Sequence, residues 1–184
     1  MSRILFSTID VTLQVFHRTS LTAALVNLKP IVPGHVLVIP RRVVPRLQDL
    51  TPSELAALMT SVQHVGSVIE RVYGADALTV ACQDGKAAGQ TIPHVHFHLL
   101  PRKLRGDRFG GARNDEVYHA LERAESELVP TPAVDKATQG GEPIKMDADE
   151  DRKARSVEEM TKEAEWLGSF FKDEGVSETH NEQS

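Results

Sequence analysis

Thr91-Ile92-Pro93-His94-Val95-His96-Phe97-His98-Leu99-Leu100-Pro101 is the stretch on which the reading of this chain turns. Side chains of a β-strand alternate between two faces, so a strand here projects His94, His96 and His98 to one side. Val95, Phe97 and Leu99 then project to the other, where they can anchor the strand in a core. Three imidazoles in a row supply donors, acceptors and a nucleophile, from the side chain most used for proton transfer around neutral pH. Packing alone has little use for such a row, and the stretch reads as an active-site strand.

The segments around it supply the rest of a domain. Leu21 to Leu28 is mostly apolar and closes at Lys29-Pro30. Pro33-Gly34 signals a turn, and His35 to Ile39 forms a second apolar run stopped by Pro40. The short connection predicts an antiparallel hairpin. Asn27 and His35 are polar exceptions in these runs, and buried polar groups require partners. A helix begins where Thr51 caps, Pro52 suits the first turn and Glu54 completes a capping box. Leu55, Leu58, Met59, Val62, Val65, Ile69 and Val72 form its apolar stripe, and Gly74 stops it. His64 falls off the stripe and reads as a surface residue.

Leu78 to Gln83 reads as a third strand. It leads into the loop 84–91, whose glycines allow main-chain N–H groups close approach to a ligand or simply make a turn. Beyond Leu100 the chain is basic at Arg102, Lys103, Arg105 and Arg108, and a short helix is expected from Asn114 to about Leu128. Pro130 to Arg155 has little apolar content and is expected to remain a mobile insert. Ser156 to Phe171 returns to an amphipathic helix, with Val157, Met160, Ala164, Leu167 and Phe171 on one side, Trp166 and Phe170 flanking. Asp173 to Ser184 reads as a solvated tail. The expected organisation is a catalytic domain over 1–128, an insert over 129–155, a docking helix over 156–172 and a tail over 173–184.

Composition narrows the class. The chain has 184 residues, 40% hydrophobic content and a formal net charge of −5. That balance argues against long nucleic acids as partners, while a small nucleotide can still bind locally. Cys82 is the single cysteine, so no internal disulfide forms, which fits a reducing compartment. No run approaches about 18 apolar residues, the length a membrane helix needs. The expectation is a protein of the cytosol or nucleus with no membrane partner.

Read from residues alone, the three histidines admit several chemistries. A metal site is one, since imidazole is a common ligand, although no Cys pair, His-Glu-x-x-His or carboxylate cluster accompanies it. A row of structurally satisfied histidines is another. A purification tag is rejected, because the histidines alternate with apolar residues in mid-chain. Nucleophilic catalysis is the fourth: one imidazole attacks an electrophile while its neighbours orient it and bind developing charge.

His94-Val95-His96-Phe97-His98-Leu99-Leu100 resembles the His-φ-His-φ-His-φ-φ signature of the histidine triad (HIT) superfamily. Further segments are similar to its Fhit-type branch, the dinucleoside polyphosphate hydrolases. These are Ala24-Leu25-Val26-Asn27 with Lys29-Pro30, Pro33-Gly34-His35-Val36-Leu37-Val38, Gln83-Asp84-Gly85 with Ala88-Gly89-Gln90-Thr91, and Pro101-Arg102-Lys103. The likeness resumes at Arg113-Asn114-Asp115 with Tyr118 and at Ser156 to Met160. The acidic insert resembles that of fungal members.

The resemblance implies an α+β domain of HIT-like fold, an antiparallel sheet with a packing helix and a C-terminal helix, pairing as a homodimer. It implies hydrolysis of diadenosine triphosphate, or a related dinucleoside polyphosphate, to AMP and ADP. His96 would be the nucleophile and pass through a nucleotidyl-histidine. His98 would contact phosphate oxygens, His94 would orient His96, and His35 would support the triad from the neighbouring strand. Asn27 corresponds to a ribose-binding asparagine and Gln83 to a glutamine near the scissile phosphate. Gly89, Gln90, Thr91 and Ile92 correspond to the phosphate loop. Leu25 and Leu37 either sandwich the adenine or are ordinary core. Divalent magnesium or manganese is expected as a companion of the substrate phosphates, with no dedicated protein metal site.

Some residues depart from or qualify the pattern. Thr8 stands where some members carry a ligand-reaching histidine, and Gly106 to Ala112 is longer than in animal members. Tyr118 aligns with a tyrosine implicated in signalling in animal relatives and equally suits an unregulated helix surface. The transferase branch carries glutamine at the third triad position, so His98 favours hydrolysis. The aprataxin branch needs a cysteine-rich zinc finger. Adenosine phosphoramidase activity, or a signalling module whose output is the bound dinucleotide, are the competing readings.

Overall fold

The structure, a computed structural model, describes residues 2–126 and 154–171; the insert expected over 129–155 falls outside them except for its last two residues, as does the tail from 173. Two short strands, β1 (Leu5–Phe6) and β2 (Ile9–Asp10), pair antiparallel with each other. The main sheet contains β3 (Val15–Arg18), β4 (Thr22–Val26), β5 (Val36–Pro40), β6 (Ala77–Ala81) and β7 (Phe97–Arg102). Its order is β3-β4-β5-β7-β6, and every pairing is antiparallel.

The helices are α1 (Pro52–Tyr73), α2 (Glu116–Ser126) and α3 (Val157–Ser169). The long one starts and stops where its end signals place it. Thr51 and Glu54 close a reciprocal capping box, and Gly74 ends the helix at φ 58°, a left-handed cap that glycine adopts without strain. Its buried hydrophobic residues are Leu58, Val62, Val65, Val68 and Ile69, whereas Leu55 and Met59 are exposed. The buried stripe is therefore narrower than the apolar periodicity suggests and includes Val68. Ser156 and Glu159 form the same kind of box at the start of α3, whose buried residues are Met160, Ala164 and Leu167. Val157 and Trp166 remain exposed.

One face of the sheet holds Ala24, Val26, Val36, Val38 and Leu99, together with Val95 just before β7. These pack against Leu58, Val62, Val65 and Ile69 of α1 and the buried residues of α3. Two smaller clusters cover the opposite face. Leu25, Leu37, Ile39 and Ile92 lie beneath Ile4, Phe6 and Val11 of the N-terminal segment. Leu100 lies beneath Phe109 and Val117, Ala120, Leu121 and Ala124, the inner side of α2. His64 is half-buried and not simply at the surface: its ring lies 5.3 Å from His17 and 5.3 Å from Phe171.

Candidate active site

The histidine stretch is only partly a strand. β7 begins at Phe97, so His98 alone of the three lies in the ladder, opposite Leu37 of β5 and Ala81 of β6. Pro93 offers no N–H to a ladder, and the N–H of His94 donates back to Ile92 O at 2.8 Å. The N–H of Val95 donates to Val44 O at 2.7 Å, which keeps the chain extended without a second strand beside it. The two-residue alternation nevertheless persists through this irregular run. Val95 and Leu99 sit in the main core, and the three imidazoles sit on the other side, 0%, 2% and 2% exposed.

Each imidazole is held in one tautomer by groups whose direction of donation is unambiguous. The N–H of Ser7 donates to Nδ1 of His94 at 2.9 Å, so that nitrogen carries the lone pair. His94 Nε2 donates to Pro40 O at 2.9 Å. With both nitrogens engaged as a neutral ring in a desolvated place, His94 has its pKa pushed down to about 4, chiefly by burial. Its main-chain oxygen does the orienting: His96 Nδ1 donates to His94 O at 2.7 Å. Neutral His96 consequently carries its lone pair on Nε2, the nitrogen at the far corner of the ring.

A second relay fixes His98. The N–H of Ile31 donates to Nδ1 of His35 at 3.3 Å, so His35 bears its proton on Nε2. That Nε2 donates to Nδ1 of His98 at 2.9 Å. His98 in turn carries its proton on Nε2, as a donor suited to an anionic oxygen. Asn27 belongs to the same corner: Oδ1 accepts from the N–H of Lys29 at 3.0 Å, which turns the Nδ2 donor toward His35, 3.4 Å from the lone pair on its Nδ1. Leu25, Leu37 and His98 are cross-strand neighbours in register on one face. Both leucines are buried in the cluster beneath the N-terminal segment.

The loop before the triad is closed on itself. The N–H groups of Ala88, Gly89 and Gln90 donate to Gly85 O, Lys86 O and Gly85 O, so they are committed to the turn and not aimed at a ligand. The Gln90 side chain acts as a staple: Oε1 accepts from the N–H of Gly85, and Nε2 donates to Pro45 O at 2.9 Å and His94 O at 3.4 Å. It thereby supports the carbonyl that holds His96. Arg46 pairs with Asp84 through two N–H groups at 3.0 and 3.2 Å. Beside Thr91 and Pro93 opens a cleft of about 670 Å³ walled by Arg46, Lys86, Gly89, Gln90 and Glu122.

Gln83 stands behind this loop with Oε1 buried and, among the described residues, lacking a hydrogen-bond partner. An unpaired buried polar atom costs about 1–3 kcal/mol, which a ligand hydroxyl would recover. Gly89 has φ 88°, and a Cβ there would lie 2.6 Å from Gln83 Nε2. Gly89→Ala is therefore expected to displace Gln83 and lower kcat/KM by about tenfold, the scale of one lost polar contact. Steady-state kinetics checks this. Adding Gln83→Ala to Gly89→Ala should cost nothing more, and wild-type kinetics in Gly89→Ala would refute the close packing as the device that places Gln83.

Two contributors went unread in the sequence. The Phe6 ring packs nearly perpendicular to His96 with centroids 5.1 Å apart and tilted against His94 at 5.5 Å. Ser7 reaches His94 from φ 55°, the single non-glycine residue at positive φ among those described. Strands of two residues are too short to show a period, though the pair Phe6-Ser7 before a polar turn was the available hint. Among the described residues, no three His, Cys, Asp or Glu side chains gather so as to hold a metal ion.

An antiparallel sheet bearing three buried, tautomer-locked imidazoles defines a protein of the histidine triad type. The chain belongs to the HIT domain family, which it matches over residues 10–104. It is 51% identical over 180 residues to the asymmetrical bis(5'-nucleosyl)-tetraphosphatase of Schizosaccharomyces pombe, covering 94% of this chain and 97% of that one. It is 47% identical to the bifunctional bis(5'-adenosyl)-triphosphatase/adenylylsulfatase FHIT of Arabidopsis thaliana, covering 86% of this chain and 78% of the relative. The crystal structure of Caenorhabditis elegans NitFhit superposes with a TM-score of 0.56 at 39% identity over 66% of this chain and 30% of that fusion protein.

Proposed function

We propose that this protein hydrolyses dinucleoside polyphosphates, diadenosine triphosphate among them, through a nucleotidyl-histidine on His96. The observation that carries the reading is the His96 Nδ1–H donated to the carbonyl of His94, which puts the lone pair on Nε2. The names of the relatives at 51% and 47% identity supply the substrate class.

In the first step Nε2 of His96 attacks the α-phosphorus. The bond from that phosphorus to the bridging oxygen breaks, and its electron pair leaves with ADP. The resulting imidazolium keeps its Nδ1–H on the His94 carbonyl, which favours the positive charge. His98 donates its Nε2–H to the phosphoryl oxygens, and the His35 relay holds it in that tautomer. Water then attacks the phosphorus and gives up a proton to solvent, the P–N bond breaks with its electron pair returning to Nε2, AMP departs and neutral His96 is restored. Asn27 and Gln83 serve the ribose and the phosphate end, and the segment 89–92 lines the approach. A divalent cation carried on the substrate phosphates would neutralise part of the charge on the leaving group, and no described residues of the chain are needed to hold it.

Pairing as a homodimer is part of the same proposal. β6 is an edge strand of the five-stranded sheet and leaves Val80 44% exposed, a surface suited to a second copy. No described helix is long and apolar enough to cross a membrane. With a single cysteine, the cytosol or nucleus remains the proposed location.

The test is product analysis with diadenosine triphosphate, diadenosine tetraphosphate and adenosine phosphoramidate, each with magnesium. The expected result is AMP with ADP from the first and AMP with ATP from the second, well ahead of the third. Preference for the phosphoramidate moves the protein to that activity. Binding without turnover of any of the three supports the signalling module instead.

A further inference from the structure

We infer that Arg155 is a positioning residue for nucleotide binding, which it serves by gripping the main chain of the Asn27–His35 turn from behind. The inference rests on the reading of Asn27 and His35 as the ribose and triad corner.

Arg155 stands one residue before the cap of α3, and 128 residues separate it from Asn27 in the chain. Its Nη2 donates to the carbonyl of Asn27, and its own main-chain N–H donates to Leu28 O at 3.1 Å. The guanidinium is held in place from α3, since Nη1 pairs with Glu163 Oε2. The other carboxylate oxygen accepts from the hydroxyl of Tyr73 at 2.7 Å. Burial and that carboxylate raise the Tyr73 phenol well above its ordinary range, so it remains a donor.

Tyr73 completes the grip at the other end of the turn. Its ring lies against Gly34, where an added Cβ would come within 2.6 Å of the ring carbons. Gly34 precedes His35, and φ 79° there already calls for glycine. One connected set, Arg155–Glu163–Tyr73, thus touches the turn at Asn27, Leu28 and Gly34. The front of the same turn carries the Asn27 amide and the His35 ring, which hands its proton toward His98. Arg155 Nε is buried and, among the described residues, has no hydrogen-bond partner. A charged group with one donor left over is poorly chosen for stability alone, while its fork geometry is well suited to aiming two donors at once. The ion pair is 20% and 21% exposed, so solvent screens it little.

The test compares wild type with Arg155→Gln, Arg155→Lys and Tyr73→Phe by steady-state kinetics on diadenosine triphosphate, with calorimetric binding of AMP and thermal melting on the same proteins. Loss of a charge-assisted hydrogen bond predicts that Arg155→Gln raises both KM and the AMP dissociation constant by about tenfold, with kcat within about threefold of wild type. Arg155→Lys should recover part of the loss. Tyr73→Phe, which keeps the ring on Gly34 and removes only the hydroxyl, should raise KM by about twofold to threefold. A fall in melting temperature with KM and AMP affinity unchanged would make the network a structural brace and overturn the inference. Should Arg155→Gln fail to fold, the lysine and phenylalanine variants decide by the same criterion. AMP binding is read independently of turnover, so weakened AMP binding in a protein that hydrolyses nothing would sink the proposed reaction and leave Arg155 in its role.

Discussion

His96→Asn is expected to lose hydrolysis of diadenosine triphosphate by at least about a thousandfold, the scale at which removal of a nucleophile is felt. Asparagine keeps a donor near the position of Nδ1, so the link to the His94 carbonyl can be retained. It removes the ring nitrogen that attacks phosphorus. The site should stay folded, and substrate should bind with affinity close to wild type. Turnover of the purified variant, together with calorimetric binding of substrate in the presence of magnesium, checks both halves. Undiminished turnover would exclude a covalent intermediate on His96. Loss of binding together with turnover would mean that the imidazole is needed to shape the pocket.

Acid should destabilise the protein through His94. An unfolded histidine titrates near 6.5, whereas burial pushes the folded group down to about 4. Above pH 6.5 the ring is neutral in both states and the full stability is present. Between pH 6.5 and 4 the unfolded chain takes up a proton that the folded protein refuses, so stability falls as the pH falls. Below about 4 both states are protonated and this contribution levels off. The total loss is roughly 3 kcal/mol at 1.36 kcal/mol per pKa unit. Urea unfolding at pH 7 and pH 4.2 measures it, with His94→Gln as the reference that lacks the group. Wild type should lose roughly 3 kcal/mol more than the variant across that interval. Equal losses would show that His94 is not kept neutral by its surroundings.

What the sequence reveals of this molecule follows the range of each interaction. The limits of α1 are local chemistry, Thr51 with Glu54 at one end and Gly74 at the other, and they are legible residue by residue. The antiparallel pairing of β4 with β5 is nearly as local, because a short turn joins them. The alternation of His94, His96 and His98 against Val95, Phe97 and Leu99 identifies two faces correctly. It does not reveal that the strand starts only at Phe97, since that depends on Pro93 and on Val44 elsewhere in the chain. Leu55 and Met59 fit the helical period yet stay exposed, outside the face that Leu58, Val62, Val65 and Ile69 pack into the core. Gln90 is visible as a loop residue, but its use as a staple depends on Pro45 and Gly85. Arg155 gives no local sign at all, because its partner lies at the opposite end of the domain sequence.

The bond from Ser7 to His94 joins residues 87 positions apart. On a growing chain Ser7 is made 87 residues before the imidazole it serves, so this bond cannot close until the triad has been synthesised. Until then Phe6 has no imidazoles to cover. The cover over the triad thus waits for the strand it seals, whatever the order in which the rest of the sheet pairs.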